Sequence, residues 1–505
     1  MRRHPVVPES SPSAHRRPRG AAAAVLAVLI AFTLVWAGML GSASATTGPE
    51  AADATSPTST TLPTSTVSPT VNPTPSITVL PCGPTAPVTS TPSTTGASPS
   101  AAPESVTVLC ASPAPPTCSA ETAPTAGSIL QLPVPAGYAL HTIGLNDRGQ
   151  VLGAGSTPDG GYHVVRWDPD GSMTDLGPLA TSPFRDPVVI SNSGLVAGDV
   201  TAADGSVRAA RWDPAGRMTE LAALPGAGSA PGALTTWVVG TNDSGTVVGA
   251  SLTTADVAGA THAVRWDRTG RVTDLGVLPG DLGSVAVAIN AEGTVVGRSS
   301  GSGIRAARWD RAGRGTALPV LPGGAVGYAV AINSRGVVIG TSSTADGHTR
   351  AVRWDATGAI TELATLPGGT ESRVQAINDQ GTIIGTSTTA DGSWRAVRWD
   401  GSGTVSELAA LGCSYGTYAT SINNAGMIVG RATVASGQFH AVEWDATGAV
   451  TDLGIVPGVS GGQANDVNDR GVVSGNSSSG TSSTATWLGP WIWLPPAPDP
   501  VGTGR

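Results

Sequence analysis

Six carboxylates stand at one place in successive copies of a repeat: Asp175, Glu220, Asp274, Glu362, Glu407 and Asp452. Glycoside hydrolysis needs paired acids, one to protonate the leaving oxygen and one to attack or to activate water, so these are the first residues to weigh as catalysts. An arginine stands just before a tryptophan in the neighbouring segment, at Arg166, Arg211, Arg265, Arg308, Arg353 and Arg398. Cross-strand pairing of each arginine with its carboxylate accounts for both sets without any chemistry. The seven histidines include no two at a metal-ligand spacing. Asp-Gly pairs at Asp159, Asp204, Asp346 and Asp391 lack the alternating acids of a calcium loop and read as turns. No Gly-x-Ser-x-Gly elbow recurs with a matching His and Asp. All 28 basic residues are arginine, which leaves no lysine for Schiff-base or nucleophilic chemistry. The sequence therefore offers no catalytic residue, no metal ligand and no cofactor site.

Tryptophans recur in step with the acids, at Trp167, Trp212, Trp266, Trp309, Trp354, Trp399 and Trp444, with a worn eighth copy at Trp487. Exposed tryptophans can stack on sugars, but one that returns at the same place in every unit reads as a packing wedge that buries a large apolar area. A ligand surface is better sought where the repeat is broken. Unit three has 24 residues from Asn242 to Trp266 where most units have 19 to 21, and the segment 227–238 before it is also long. Extra length on one face is a common way to build a binding surface on a uniform scaffold. Trp237 and Trp394 lie near such turns, off the wedge position. In unit seven Glu443 replaces the arginine and is expected to meet Asp452 as a like charge, with Cys413, Tyr415, Tyr418, Phe439 and His440 nearby in sequence. Drift in a nonessential repeat explains unit seven as readily. The candidate ligand surface is thus Trp237, Trp394, Tyr415, Tyr418 and His440.

The elements that would position these residues follow from the unit itself. Anchors of the form Asn-x-x-Gly begin at Asn146, Asn242, Asn290, Asn333, Asn378, Asn423 and Asn468, with Asn192 taken as the second, and Asn333 and Asn378 stand 45 apart. In unit five, 328–332 reads as a strand, Asn333 to Gly336 as a type I turn, and 337–339 as a β-branched strand buried on both faces. Residues 350–354 alternate at the two-residue period of a third strand, and 360–363 form a fourth. Four short strands joined by tight turns make one antiparallel blade, which cannot bury both faces alone. Eight such blades in a ring can, which predicts an all-β propeller of about eight four-stranded blades. A seven-bladed ring with a degenerate last unit and a linear β-solenoid are the competing arrangements. Residues 129–133 resemble the acidic-Leu strand and are expected to complete the last blade beside 491–494.

The unit resembles the HAF repeat of bacterial extracellular proteins. Val272-Thr273-Asp274-Leu275-Gly276 and Ala288-Ile289-Asn290-Ala291-Glu292-Gly293-Thr294-Val295-Val296-Gly297 carry its first motifs, and the likeness extends over about 129–494. The His-Ala-Phe-x-Trp motif departs. His163, His262 and His440 keep the histidine, Arg208, Arg305, Arg350 and Arg395 replace it, and Val or Ala stands where Phe belongs. The resemblance implies an exported, propeller-like repeat protein and supplies no catalytic residues.

Export is also written in the first 45 residues. Arg2, Arg3, Arg16, Arg17 and Arg19 precede an apolar stretch at 21–40, and Ala43-Ser44-Ala45 provides a small-x-small cleavage site. The stretch is long enough to span a bilayer, so an uncleaved anchor stays open as the chain's one membrane contact. Residues 46–127 are mostly Ser, Thr, Pro and Ala, too poor in apolar surface to offset chain entropy, and read as a disordered stalk. The propeller follows at 128–496, then a disordered tail at 497–505. Cys82, Cys110, Cys118 and Cys413 are an even set in an oxidising compartment and allow three disulfide pairings. An echo between 76–82 and 105–110 favours Cys82 with Cys110, which would leave Cys118 for Cys413. A net charge of −8 over 505 residues shows no nucleic-acid footprint.

The functional expectation is a secreted or surface-displayed non-catalytic module that binds a glycan or a cell-surface protein. An extracellular polysaccharide hydrolase or lyase of propeller type is the alternative. Signal peptidase cleavage should leave Thr46 as the mature N-terminus; N-terminal sequencing of secreted material that starts at Met1 would instead support the anchor.

Overall fold

The computed structural model describes residues 127–180, 187–228, 232–253, 261–411, 416–480 and 486–496. The signal segment, the stalk, all four cysteines, Tyr415 and the tail lie outside the described residues. Within them the chain forms eight four-stranded antiparallel sheets. The first strand of each sheet packs against the first strands of both neighbours, in a ring that closes from the last sheet back to the first. The fold is an eight-bladed β-propeller, and neither the seven-bladed nor the linear arrangement applies.

Blade five shows why these residues form it. Its strands are Gly327–Ile332, Val338–Ser343, Thr349–Trp354 and Ile360–Glu362, from the channel outward. The turn after the first strand closes through the Gly336 N–H, which donates to the Asn333 carbonyl at 3.0 Å. Gly336 sits at φ +76°, where a side chain would be strained. The second strand is sealed on both faces, with Val338 and Ile339 fully buried. At Gly340 an added Cβ would stand 1.9 Å from the Tyr328 carbonyl oxygen, so only glycine lets the first two strands approach this closely.

Core clusters lie between blades. Trp354 packs with Val296, Leu318 and Leu321 of blade four and Val338 and Val352 of its own, and its Nε1 donates to the Pro319 carbonyl at 2.8 Å. The corresponding tryptophans Trp167, Trp399 and Trp444 reach Pro133, Ala364 and Ala409 in the same way. The eighth wedge is Trp493, not Trp487. Trp493 pairs with Val473 as Trp354 pairs with Val338, whereas Trp487 pairs with Ser478 beyond a bulge.

The expected Arg–carboxylate pairing is not made. Glu362 lies opposite Val352, and Arg353 lies opposite Thr361 on the other face of the sheet. A register difference of one residue sends a side chain to the opposite face, so the carboxylates meet the residue two positions earlier on their own face. The pairs are His163–Asp175 at 2.9 Å, Arg208–Glu220 at 3.5 Å, His262–Asp274 at 2.9 Å, Arg350–Glu362 at 3.3 Å, Arg395–Glu407 at 3.4 Å and His440–Asp452 at 2.7 Å. Histidine and arginine at this repeat position therefore serve one purpose, as partner of the fourth-strand acid. The arginine before the tryptophan reaches forward instead. Arg166 donates to the Pro214 carbonyl at 2.9 Å, Arg308 to Ala356 at 2.7 Å, Arg353 to Gly401 and Arg398 to Ala446, each in the following blade. Glu443 in turn lies opposite Thr451 and does not face Asp452. Burial first, and Asp445 second, push its carboxyl above the usual range.

The ring closes where Ser128–Gln131 joins Thr486–Leu494 as the outer strand of blade eight, with Ser128 opposite Leu494. Polar side chains hold the seam from within. Asn476 Oδ1 accepts the Thr142 N–H at 2.9 Å. Asp466 accepts the Leu145 N–H at 2.9 Å and the Ser421 hydroxyl at 2.7 Å, which ties blade eight to both neighbours. Loss of water around the Asp466 carboxyl raises it above its ordinary value, more than its hydrogen-bond donors lower it.

Two outcomes follow. Trp354→Ala should cost about 3–5 kcal/mol by denaturant unfolding, as for other buried tryptophans, whereas Trp394→Ala, 36 % exposed, should cost about 1 kcal/mol or less. Equal losses would mean that the repeat tryptophan is no wedge. For Asp466, a folded-state carboxyl that holds its proton more tightly than the unfolded chain contributes stability at low pH. That stability is lost as pH rises from about 4, the unfolded value, through the raised one. The melting temperature of Asp466→Asn should therefore gain on the wild type between about pH 4 and pH 7; a flat or falling difference would contradict the assignment.

Candidate functional site

The channel has two ends of different construction. At one end the Asn turns enclose a cavity of about 390 Å³ lined from all eight blades. Each anchor asparagine is buried and binds in two directions. Asn378 Oδ1 accepts the Thr382 N–H of its own turn at 2.9 Å, and its Nδ2 donates to the Asn423 carbonyl of the next blade at 3.0 Å. The same link runs from Asn423 to Asn468 and from Asn468 across the seam to Asn146. In blade two the anchor position is held by Ser191, not Asn192, since the Gly194 N–H closes its turn on Ser191. Asn192 belongs one step on, with Asp147, Asp243, Asp379, Asn424 and Asp469. These accept backbone N–H groups from the preceding blade, as Asp379 does from Ser334 at 2.8 Å and Asp147 from Asp469 at 2.9 Å. The carboxylates of this end are thus spent on joining blades.

The far end is built from the beginnings of the inner strands, and there the repeat loses its uniformity. The second-strand-facing position reads His141, Trp237, Val285, Tyr328, Arg373, Tyr418 and Gln463 in the seven blades where it is described. No neighbouring blades repeat the same chemistry. In blade seven Arg431 lies opposite Tyr418, its guanidinium 4.7 Å from the Tyr418 ring and 4.3 Å from the Phe439 ring, and donates to Gln463 Oε1 of blade eight at 2.8 Å. In blade six the Arg373 guanidinium lies 4.8 Å over the Trp394 ring. Arg298 of blade four lies near Tyr328 of blade five. Burial lowers the affinity of Arg298 and Arg431 for their protons, yet a guanidinium keeps its charge in a protein. His141 is likewise lowered by burial.

The structure puts Trp394 and Tyr418 in adjacent blades at this same end, and Trp237 in blade three. His440 stands at the beginning of the third strand of blade seven, where Asp452 engages its Nδ1 at 2.7 Å as the acid does in the other units with histidine here. Arg298, Arg373, Arg431 and Tyr328 escaped the sequence reading. For Arg373 and Tyr328 the signal was present as an inner-strand position that changes from each blade to the next, and Arg298 and Arg431 lie opposite that position on the second strand. Among the described residues, no group of three or more His, Cys, Asp or Glu is arranged to hold a metal ion. The Asp-Gly turns are held by their own residues: Asp391 accepts the Thr389 hydroxyl and the Ser393 N–H, which lower its carboxyl to about 2.

No family model matches the chain, and no curated protein does. Solved structures similar to it include puromycin hydrolase, 16% identical over 67% of this chain and 58% of that one, with a TM-score of 0.42. Streptogramin B lyase is 14% identical over 62% of this chain and 94% of that one, with a TM-score of 0.36. TolB from Acinetobacter baumannii is 15% identical over 53% and 64%, with a TM-score of 0.27. The chain spans somewhat over half the length of the puromycin hydrolase. Likenesses of this size say nothing about activity.

Proposed function

We propose that this protein is an exported, non-catalytic binding module, secreted or displayed at the cell surface, whose ligand docks at the non-repeating end of the channel. One observation carries the reading. The recurrent wedge tryptophans and anchor asparagines hold blades together and the fourth-strand acids pair within their own blade, while the inner-strand position that varies from blade to blade lies at one end, where Tyr328, Arg373 and Tyr418 follow one another. A scaffold that keeps one surface free to vary is organised for recognition. Catalysis would need acids or nucleophiles freed from structural bonds, and the carboxylates around the channel cavity serve as acceptors between blades. The ligand is a glycan or a cell-surface protein, and the export signal at 1–45 supplies the location.

Glycan-array and cell-surface binding should be measured on the secreted protein and on a Trp394→Ala/Tyr418→Ala variant, together with a broad polysaccharide turnover screen. The expected result is binding that falls about tenfold or more in the variant, some 1.4 kcal/mol, with no turnover. Turnover of any polysaccharide that vanishes on Asp379→Asn, with the fold intact, would overthrow the reading in favour of an enzyme.

A further inference from the structure

We infer that the ligand is a carboxylate-bearing oligosaccharide, held by Arg373 on its Trp394 platform in blade six with Tyr418 of blade seven beside it. The inference rests on the binding reading above and narrows it to an acidic sugar chain. Arg373 is the one cation among the seven described residues at the variable inner-strand position. Its side chain is 52 % exposed, and its guanidinium lies 4.8 Å over a tryptophan that is itself 36 % exposed. Stacking on an indole fixes the plane of a guanidinium and lowers the entropy lost when it binds, and its planar fork of N–H donors matches a carboxylate. The site already receives one: Glu371 lies 3.6 Å from Arg373 Nη2. An exposed pair of that length is weak, so a ligand carboxylate can take its place.

The surroundings favour negative charge. Arg431, buried in the next blade, and Arg298, half-buried two blades back, bring two further guanidiniums to the same end of the wall, where a charge removed from water is screened less. At the opposite end of the channel the charged residues lining the cavity are all acids, Asp147, Asp243, Asp379 and Asp469. An anion is therefore drawn to the arginine side of that end, across the channel from the buried Asp199 of blade two, and repelled from the other end. The aromatic rings give the reason for a sugar over an acidic peptide. Trp394, Tyr418 and Tyr328 offer flat faces in three consecutive blades, which suits pyranose rings along a chain, while the arginine reads the carboxylate.

The test is calorimetric titration of the full secreted chain with an oligogalacturonide, its fully methyl-esterified form, a sulfated oligosaccharide and polyglutamate. The oligogalacturonide should bind at least tenfold more tightly than the methyl ester. Arg373→Gln should remove that preference, Arg373→Lys should restore only a small part of it, and Trp394→Ala should weaken both sugars. Methyl ester bound as tightly as the acid, an Arg373→Gln variant that still discriminates, no binding of the acid at all, or tighter binding of the sulfated sugar or polyglutamate would each overturn the inference. Neutral-sugar binding that Trp394→Ala abolishes would leave the binding-module reading standing without the acidic specificity, so the two can fail separately.

Discussion

A four-stranded sheet has two apolar faces and no means of covering either by itself; every other feature of this fold answers that constraint. The answer is a tryptophan at the end of the third strand, driven into the space between blades and fastened by its Nε1 to a carbonyl of the blade behind, as Trp354 is to Pro319. The arginine beside it points the other way and binds a carbonyl of the blade ahead. The anchor asparagine repeats the forward link at the channel. Blades one, three, five and six are thus tied backward through an indole and forward through a guanidinium and an amide. The bonds fall on backbone carbonyls, which every residue possesses, so neighbours can change sequence without losing them.

That arrangement explains how far the sequence could be read. Strands, turns, blade number and the closing strand at Ser128–Gln131 were all legible, because two-residue alternation and Asn-x-x-Gly turns are local signals. The contacts between blades were not. Arg353 and Glu362 looked like partners because they occupy facing strands, but facing strands do not reveal register, and a shift of one residue separated them. The true partner of Arg353 is a carbonyl in the next unit, a group that carries no side-chain identity and leaves no mark in the sequence. Blade two misled for a related reason: Asn192 has the anchor's residue type, while Ser191 has its hydrogen bonds. At the candidate site, Trp394 was visible as a tryptophan off the wedge position and Tyr418 as one of the residues clustered in sequence around Glu443 in unit seven. Arg373 and Arg431 were hidden among many other arginines, and only the fold separates those that hold blades together from those at the channel end.

The division between the two ends has a simple chemical origin. At the turn end the inner strands must reverse direction, and the asparagine side chain that satisfies the turn also reaches the next blade, so the residue type is constrained twice. At the other end the strands begin after long connections and nothing prescribes the second residue. Selection can act there at little cost to stability, which is how histidine, tryptophan, tyrosine, arginine and glutamine come to occupy equivalent positions in one ring.

The pairing of Ser128 with Leu494 also sets an order of events during synthesis. The strand made first is among the last to find its partner, since the segment it must join emerges only after seven complete blades have been made. Closing so large a loop is slow compared with forming any single blade. The nascent ring therefore waits open, with an unpaired strand edge at one end and a half-covered blade at the other. A ribosome that stops early leaves a chain rich in finished sheets that has no way to shut, and such a chain presents a ready edge for pairing with a second copy.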